Sequence, residues 1–298
     1  MDYKNYFLKC RERYEKPTPS LKSFYEDPLR IIPKNIFSIK TKEYLENMSI
    51  SLKKEFDNGI NDIGTMHVIK NILRYKKSIE SVSNELIPYL EETMYGCNLY
   101  IDKIYIYRTK PLKKKKESYL WHHDNNPNEI VKLIIYLNDV DIFNSPFEYL
   151  ANESNKGILA QCTRLGPDYW EAPPNDGRLE KEVEDMIKFN NYHNKKITGD
   201  KFTAFAFSNN IIHRANPIIK GYRDVLNIRV KPTINKPPQY FNSNWTSSFE
   251  SSGAVNPNPM IDWQNEINSN IFKKNLSKIK KVLSNKIKSI SKKIPSNL

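Results

Sequence analysis

The hydrophobic period of the chain changes near residue 96. From Thr41 to about Thr93 apolar residues recur three and four apart. The pattern is clearest in SIESVSNELIPYLEETMYG, where Ile79, Val82, Leu86 and Leu90 share one side of a helix that stops at Gly96. Pro88 falls inside this helix as a point of bending. The preceding residues 1–40, with prolines in KPTPS and EDPLRIIPKN, read as irregular chain with a short helix that wraps a core.

After Gly96 the period drops toward two, and β-branched and aromatic residues take over. NLYIDKIYIYRTK, EIVKLIIYLNDV and SPFEYLANES read as strands, and GILAQCTRL as a weaker one. RLEKEVEDMIK is a short helix inside an insertion. DKFTAFAFS and DVLNIRVKP are strands separated by a turn that carries His213. Short strands without alternating helices argue for an antiparallel barrel or sandwich, not a doubly wound sheet. The expected class is mainly β with flanking helices. Four parts are expected: an N-terminal irregular and helical region packing on the barrel (1–95), a β core (96–235) with an insertion near 155–195, a loop-rich extension (236–264), and a basic amphipathic helical tail (265–298).

Charge changes this picture little. The net charge is +13, but residues 265–298 hold nine lysines against Glu266 alone, so the tail carries +8 and the rest +5. A mildly basic body is weak evidence for nucleic-acid binding, and the lysines are not interleaved with aromatic stacking platforms. In the tail, Phe272, Leu276, Ile279, Leu283, Ile287, Ile290 and Ile294 form an apolar stripe beside lysines. It suits packing on the body, a partner helix, or weak contact with an anionic membrane surface. Cys10, Cys97 and Cys162 form no CxxC, and their odd number argues against a disulfide framework. The charged start and the lack of a long apolar run point to a cytoplasmic setting, at most peripheral to a membrane.

Five histidines occur in the chain, and His122 and His123 stand together before Asp124 in ESYLWHHDNNPNEIVKLIIYLNDV. In a strand, residues two apart face the same way, so His122 and Asp124 could share one centre with His123 turned aside. An imidazole and a carboxylate are two donors of the facial triad of non-haem Fe(II) oxygenases, and His213, between the last two strands, is the candidate third. The competing reading is a hydrogen-bonded strand end for the pair and a turn histidine for His213. Arg223 and Arg229 lie six apart on one strand face and would need an anion if buried, either a dicarboxylate or structural acids across the sheet.

This order of features resembles the phytanoyl-CoA dioxygenase-like branch of the Fe(II)/2-oxoglutarate-dependent oxygenase superfamily, over roughly residues 80–232. The resemblance implies a double-stranded β-helix, a jelly-roll or cupin-like barrel. It places His122, Asp124 and His213 on Fe(II) and Arg223, ten residues past His213, on the 2-oxoglutarate carboxylate, with Arg229 a secondary anion contact or structural. RANPIIKG after His213 departs from the small or glycine-rich residues often found there. The carboxylate at 124 implies hydroxylation rather than halogenation, with O2 consumed and succinate and CO2 released. The substrate is then a small organic molecule. One of the two faces of KIYIYRTK, that of Tyr105 and Tyr107 or that of Ile104 and Ile106, would line its cavity, with the tyrosines as the substrate contacts, and Arg164, Tyr169 and Trp170 would contact it from a loop over the site. A lid or core role is open for Trp170, a barrel-core role for the tyrosines, and a solvated one for the lysine loop at 110–116. Two other functions fit the same sequence: a ligand-binding or interaction protein without turnover, and a nucleic-acid-modifying oxygenase.

Overall fold

In the computed structural model the described residues are 3–57, 62–63, 66–69, 71–109, 111, 117–161, 178–245, 247–249 and 254–256. The tail at 265–298, the lysines at 110 and 113–116, and Cys162, Arg164, Tyr169 and Trp170 lie outside them. The N-terminal part forms α1 (Tyr3–Glu12), α2 (Leu21–Glu26), β1 (Leu29–Ile31), α3 (Ile39–Asp57), β2 (Asp62–Ile63), β3 (Met66–Val68) and α4 (Lys76–Leu90). Pro88 leaves the last turns of α4 short of a backbone donor, and the helix runs on as a π-helical turn, Glu91–Tyr95. Gly96 ends it at φ +63°, a left-handed conformation that costs glycine little.

The strands that follow are β4 (Asn98–Thr109), β5 (Val131–Tyr136), β6 (Phe147–Ala151), β7 (His193–Ile197), β8 (Ala204–Ser208), β9 (His213–Ala215), β10 (Asp224–Thr233), β11 (Ser247–Phe249) and β12 (Ala254–Asn256). Helix α5 (Glu180–Phe189) precedes β7. Nine strands make a large sheet in the order β1-β8-β5-β10-β4-β12-β11, with β3 also on β4 and β2 on β3. A second sheet has the order β7-β6-β9. All strand pairings are antiparallel.

The expected barrel is corrected by this topology. The strand order resembles that of a double-stranded β-helix, but neither sheet closes on itself, and the helices make the fold mixed α/β rather than mainly β. The physical reason is visible at both ends of the large sheet. One end is taken by β1 from the N-terminal region, the other by the β12–β11 pair, so no strand of the second sheet hydrogen-bonds there.

The two sheets nevertheless share one interior. Ile134, Tyr136, Phe205, Phe207 and Val225 of the large sheet pack with Phe147, Tyr149, Ala151 and Ile197 of the small one. The other face of the large sheet is aliphatic, with Ile104, Ile106, Leu133, Ile135, Leu226 and Ile228 fully buried. Helices reach this sheet through main-chain acceptors: Tyr6 Oη of α1 donates to Pro232 O (3.3 Å) and Ser49 Oγ of α3 to Leu137 O (2.8 Å). Period-two alternation thus sends Tyr105, Tyr107 and Thr109 of β4, and Lys132 and Ile134 of β5, to the inner face. Cys10 and Cys97 are free thiols in the core. Among the described residues no helix is long and apolar enough to cross a membrane.

Candidate metal centre

The inner face encloses a cavity of about 330 Å³, lined by Tyr105, Tyr107, His122, Asp124, His213 and Arg223 among others. His122 and His213 are brought together by main chain. Each accepts the other's backbone N–H, at 3.0 and 2.9 Å, in an isolated antiparallel bridge. Their rings therefore lie on one side, with centroids 4.3 Å apart. Only this single bridge makes the segment strand-like. Asp124 is placed instead by its own N–H, which donates to Asn209 O at 2.9 Å, and Asn125 turns the chain away at φ +50°. His123 points elsewhere and accepts from Asn125 N–H at 3.2 Å. Strand parity alone thus does not explain how residues 122 and 124 converge.

One ligating atom from each of His122, Asp124 and His213 lies within 4.8 Å of the other two. His122 Nδ1 is 2.7 Å from Leu120 O and His213 Nδ1 is 2.8 Å from Ile211 O. A carbonyl only accepts, so each Nδ1 carries the proton and each Nε2 keeps its lone pair. Burial, with His213 beside it, pushes His122 well below its ordinary 6.5, and burial lowers His213 to about 4 against the pull of Asp124. Burial opposes ionisation of Asp124, but Lys132 with His213 and His122 outweighs it and holds the carboxyl well below the usual range. At neutral pH the site offers two bare imidazole nitrogens and an ionised carboxylate. This is the donor set and protonation state that a facial-triad Fe(II) requires, so the residues fit that metal.

The two downstream arginines part company. Arg223 is 5% exposed and lines the cavity. Its Nε donates to Thr109 Oγ1 at 3.0 Å, and its charge lowers the pKa of the neighbouring Tyr136 hydroxyl against the effect of burial. Among the described residues it has no carboxylate partner. Arg229 does: its Nε and Nη2 donate to Asp102 at 2.9 and 2.5 Å, and Lys231 Nζ lies 3.2 Å from the same carboxylate. The register explains why an acid is available there. Arg229 pairs with Lys103 and Val230 with Ile101, so Asp102 is the extra residue of a β-bulge and escapes strict alternation. Tyr105 and Tyr107 both face the cavity.

The Asp102 cluster has a measurable consequence. Burial opposes ionisation, but Arg229 and Lys231 outweigh it and take the carboxyl from 3.8 to about 2. A lowered folded-state value means that the stabilisation is full above the ordinary carboxylate pKa and is lost as pH falls through the folded one. Asp102→Asn is expected to cost about 3–5 kcal/mol at neutral pH, because it leaves two cations without a counter-charge. It should also flatten the decline of stability between 3.8 and about 2. Urea unfolding across that range checks both, and wild-type stability in the variant would contradict the pairing.

Sequence reasoning did not pick out Lys132, Asn227, Arg214, Phe147 and Phe207, which also line the cavity. Lys132 carried a signal, as the one charge in the apolar run VKLIIY. Arg214 ion-pairs with Glu148 at 2.6 Å and lies over the Trp121 ring at 4.3 Å, a cross-strand arrangement invisible in the sequence.

No family model and no curated protein matches the sequence. Solved structures do match in shape. The chain is similar to the non-haem alpha-ketoglutarate-dependent carbocyclase SnoK from nogalamycin biosynthesis, at TM-score 0.50 and 13% identity, over 75% of this chain and 90% of that one. It is similar to EctD from S. alaskensis (TM-score 0.48, 15% identity, 76% and 84% covered). HygX from Streptomyces hygroscopicus, solved with nickel and 2-oxoglutarate bound, matches at TM-score 0.45 and 12% identity, with 76% and 90% covered. The match to SnoK establishes a shared fold. That fold carries a two-histidine, one-carboxylate cluster opening into its cavity, the donor set of a facial-triad metal site. His122, Asp124, His213 and Arg223, the residues that carry the sequence resemblance, all line this one cavity.

Proposed function

We propose that the protein is an Fe(II)- and 2-oxoglutarate-dependent oxygenase of the phytanoyl-CoA dioxygenase-like branch that hydroxylates a small organic substrate and releases succinate and CO2. The observation that carries this reading is a facial triad and a buried arginine, without a carboxylate partner among the described residues, facing one cavity. His122, Asp124 and His213 hold the metal. Iron with 2-oxoglutarate supplies the O2-dependent oxidation that no side chain can perform.

The remaining work belongs to the chain. Arg223, fixed by Thr109, presents its fork to the distal carboxylate of the cosubstrate, and planarity favours a bidentate grip. Arg229 is structural, its charge met by Asp102. Tyr105 and Tyr107 form the wall facing the substrate, and Phe147 and Phe207 help keep water from the centre. The test is anaerobic purification, loading with Fe(II), and a succinate-release screen with acyl, sugar, amino-acid and secondary-metabolite substrates. Stoichiometric succinate with a hydroxylated product is the expected result. Absence of 2-oxoglutarate binding to metal-loaded protein would refute the assignment.

A further inference from the structure

Asp124 has two carboxylate oxygens, and a facial triad needs only one of them. Lys132 Nζ lies 2.5 Å from one of them, Oδ2. Lys132 sits in the middle of the large sheet, where β5 pairs it with Arg229 of β10 on one side and Phe207 of β8 on the other. This register turns its side chain toward the cavity, which it lines. The acid beside Arg229, Asp102, is already shared by Arg229 and Lys231. Among the described residues, Asp124 is the one carboxylate that meets Lys132.

We infer that Lys132 is a positioning residue for the metal centre. Its ammonium holds Oδ2, so Asp124 would offer a single oxygen to a metal bound there. The inference rests on the reading of this cavity as an Fe(II)/2-oxoglutarate site. A carboxylate released from Lys132 is free to turn and chelate with both oxygens. The second oxygen would then compete with the cosubstrate for the metal. The ammonium also favours a dianion arriving at the centre. Loss of Lys132 therefore weakens the cosubstrate more than the metal. A lysine with only a packing role would do the reverse, lowering stability and leaving cosubstrate affinity alone.

The experiment is calorimetric titration of the full chain, first with Ni(II) as a metal that does not turn over, then with 2-oxoglutarate. Wild type is compared with Lys132→Met, Lys132→Gln and Lys132→Arg. The expected result is Ni(II) binding in all four, with 2-oxoglutarate affinity reduced at least about tenfold in Met and Gln, the scale of outer-sphere changes at metal sites. Lys132→Arg should recover most of it, because a cation again meets Oδ2. Wild-type cosubstrate affinity in Lys132→Met or Lys132→Gln overturns the proposal. If both fail to fold while Lys132→Arg folds with weak cosubstrate binding, the residue is structural and the proposal also falls. Failure of the wild-type chain itself to bind Ni(II) or 2-oxoglutarate refutes the functional reading instead, so the two failures are distinguishable.

Discussion

His213→Ala is expected to abolish succinate release and to reduce metal affinity by more than the roughly 10–100-fold that outer-sphere changes cost. Two donors remain after the substitution, and neither can supply the lost imidazole, because His123 is turned to Asn125 and Asn210. The fold should survive. The contacts that bring residues 122 and 213 together are backbone hydrogen bonds, which alanine also makes. What is lost besides the ligand is ring packing on Phe147, at 5.2 Å and 22°, and on Phe207, a cost of about 1–3 kcal/mol for a buried side chain. Ni(II) titration and far-UV circular dichroism separate the two effects. Unchanged metal affinity in a folded variant would remove His213 from the centre.

Arg223→Met should raise the dissociation constant of 2-oxoglutarate by roughly 30-fold or more, equivalent to the 2–5 kcal/mol lost when one partner of a buried charge pair is truncated. Arg223→Lys should fall between the two, since an ammonium is a point charge without the guanidinium fork. Arg229→Lys is the control, because Arg229 spends its donors on Asp102. Equilibrium titration of Ni(II)-loaded protein gives all three values. If Arg229→Lys destroys binding and Arg223→Met leaves it intact, the roles of the two arginines must be exchanged.

Much of this centre was legible in the chain, and the reasons it was not fully so are physical. β4, β5 and β10 follow from alternating β-branched and aromatic residues, because a half-buried strand imposes period two on its own sequence. Closure of a sheet leaves no such trace. It depends on which strand ends meet, and here β1 and β12 meet the large sheet first. β1 itself, LRI between Pro28 and Pro33, is too short to show a period. β7, HNKKI, is polar and exists because β6 offers it a ladder from Phe147 to Ala151. Asp102 and Arg229 are 127 residues apart, and only the bulge tells that they meet. The histidine–aspartate spacing picked out residues that do come together, but for an incomplete reason. A single bridge at His122 and a bond from Asp124 to Asn209 do what a continuous strand was expected to do.

The open sheet has a further consequence, located at β1. Three residues cover the outer side of β8, pairing Leu29 with Phe207, Arg30 with Ala206 and Ile31 with Phe205, while Pro28 O and Ile32 N–H extend the ladder at either end. Beneath this short strap lies the segment AFAFS, a backbone edge flanked by aromatic residues. Shortening the chain past Ile32 would uncover that edge, and an unpaired strand of such composition is a template for a second copy. Self-association that rises with protein concentration, followed by light scattering, is the expected outcome. The N-terminal residues then act as a guard on solubility, a duty distinct from anything the chemistry of the cavity asks of them.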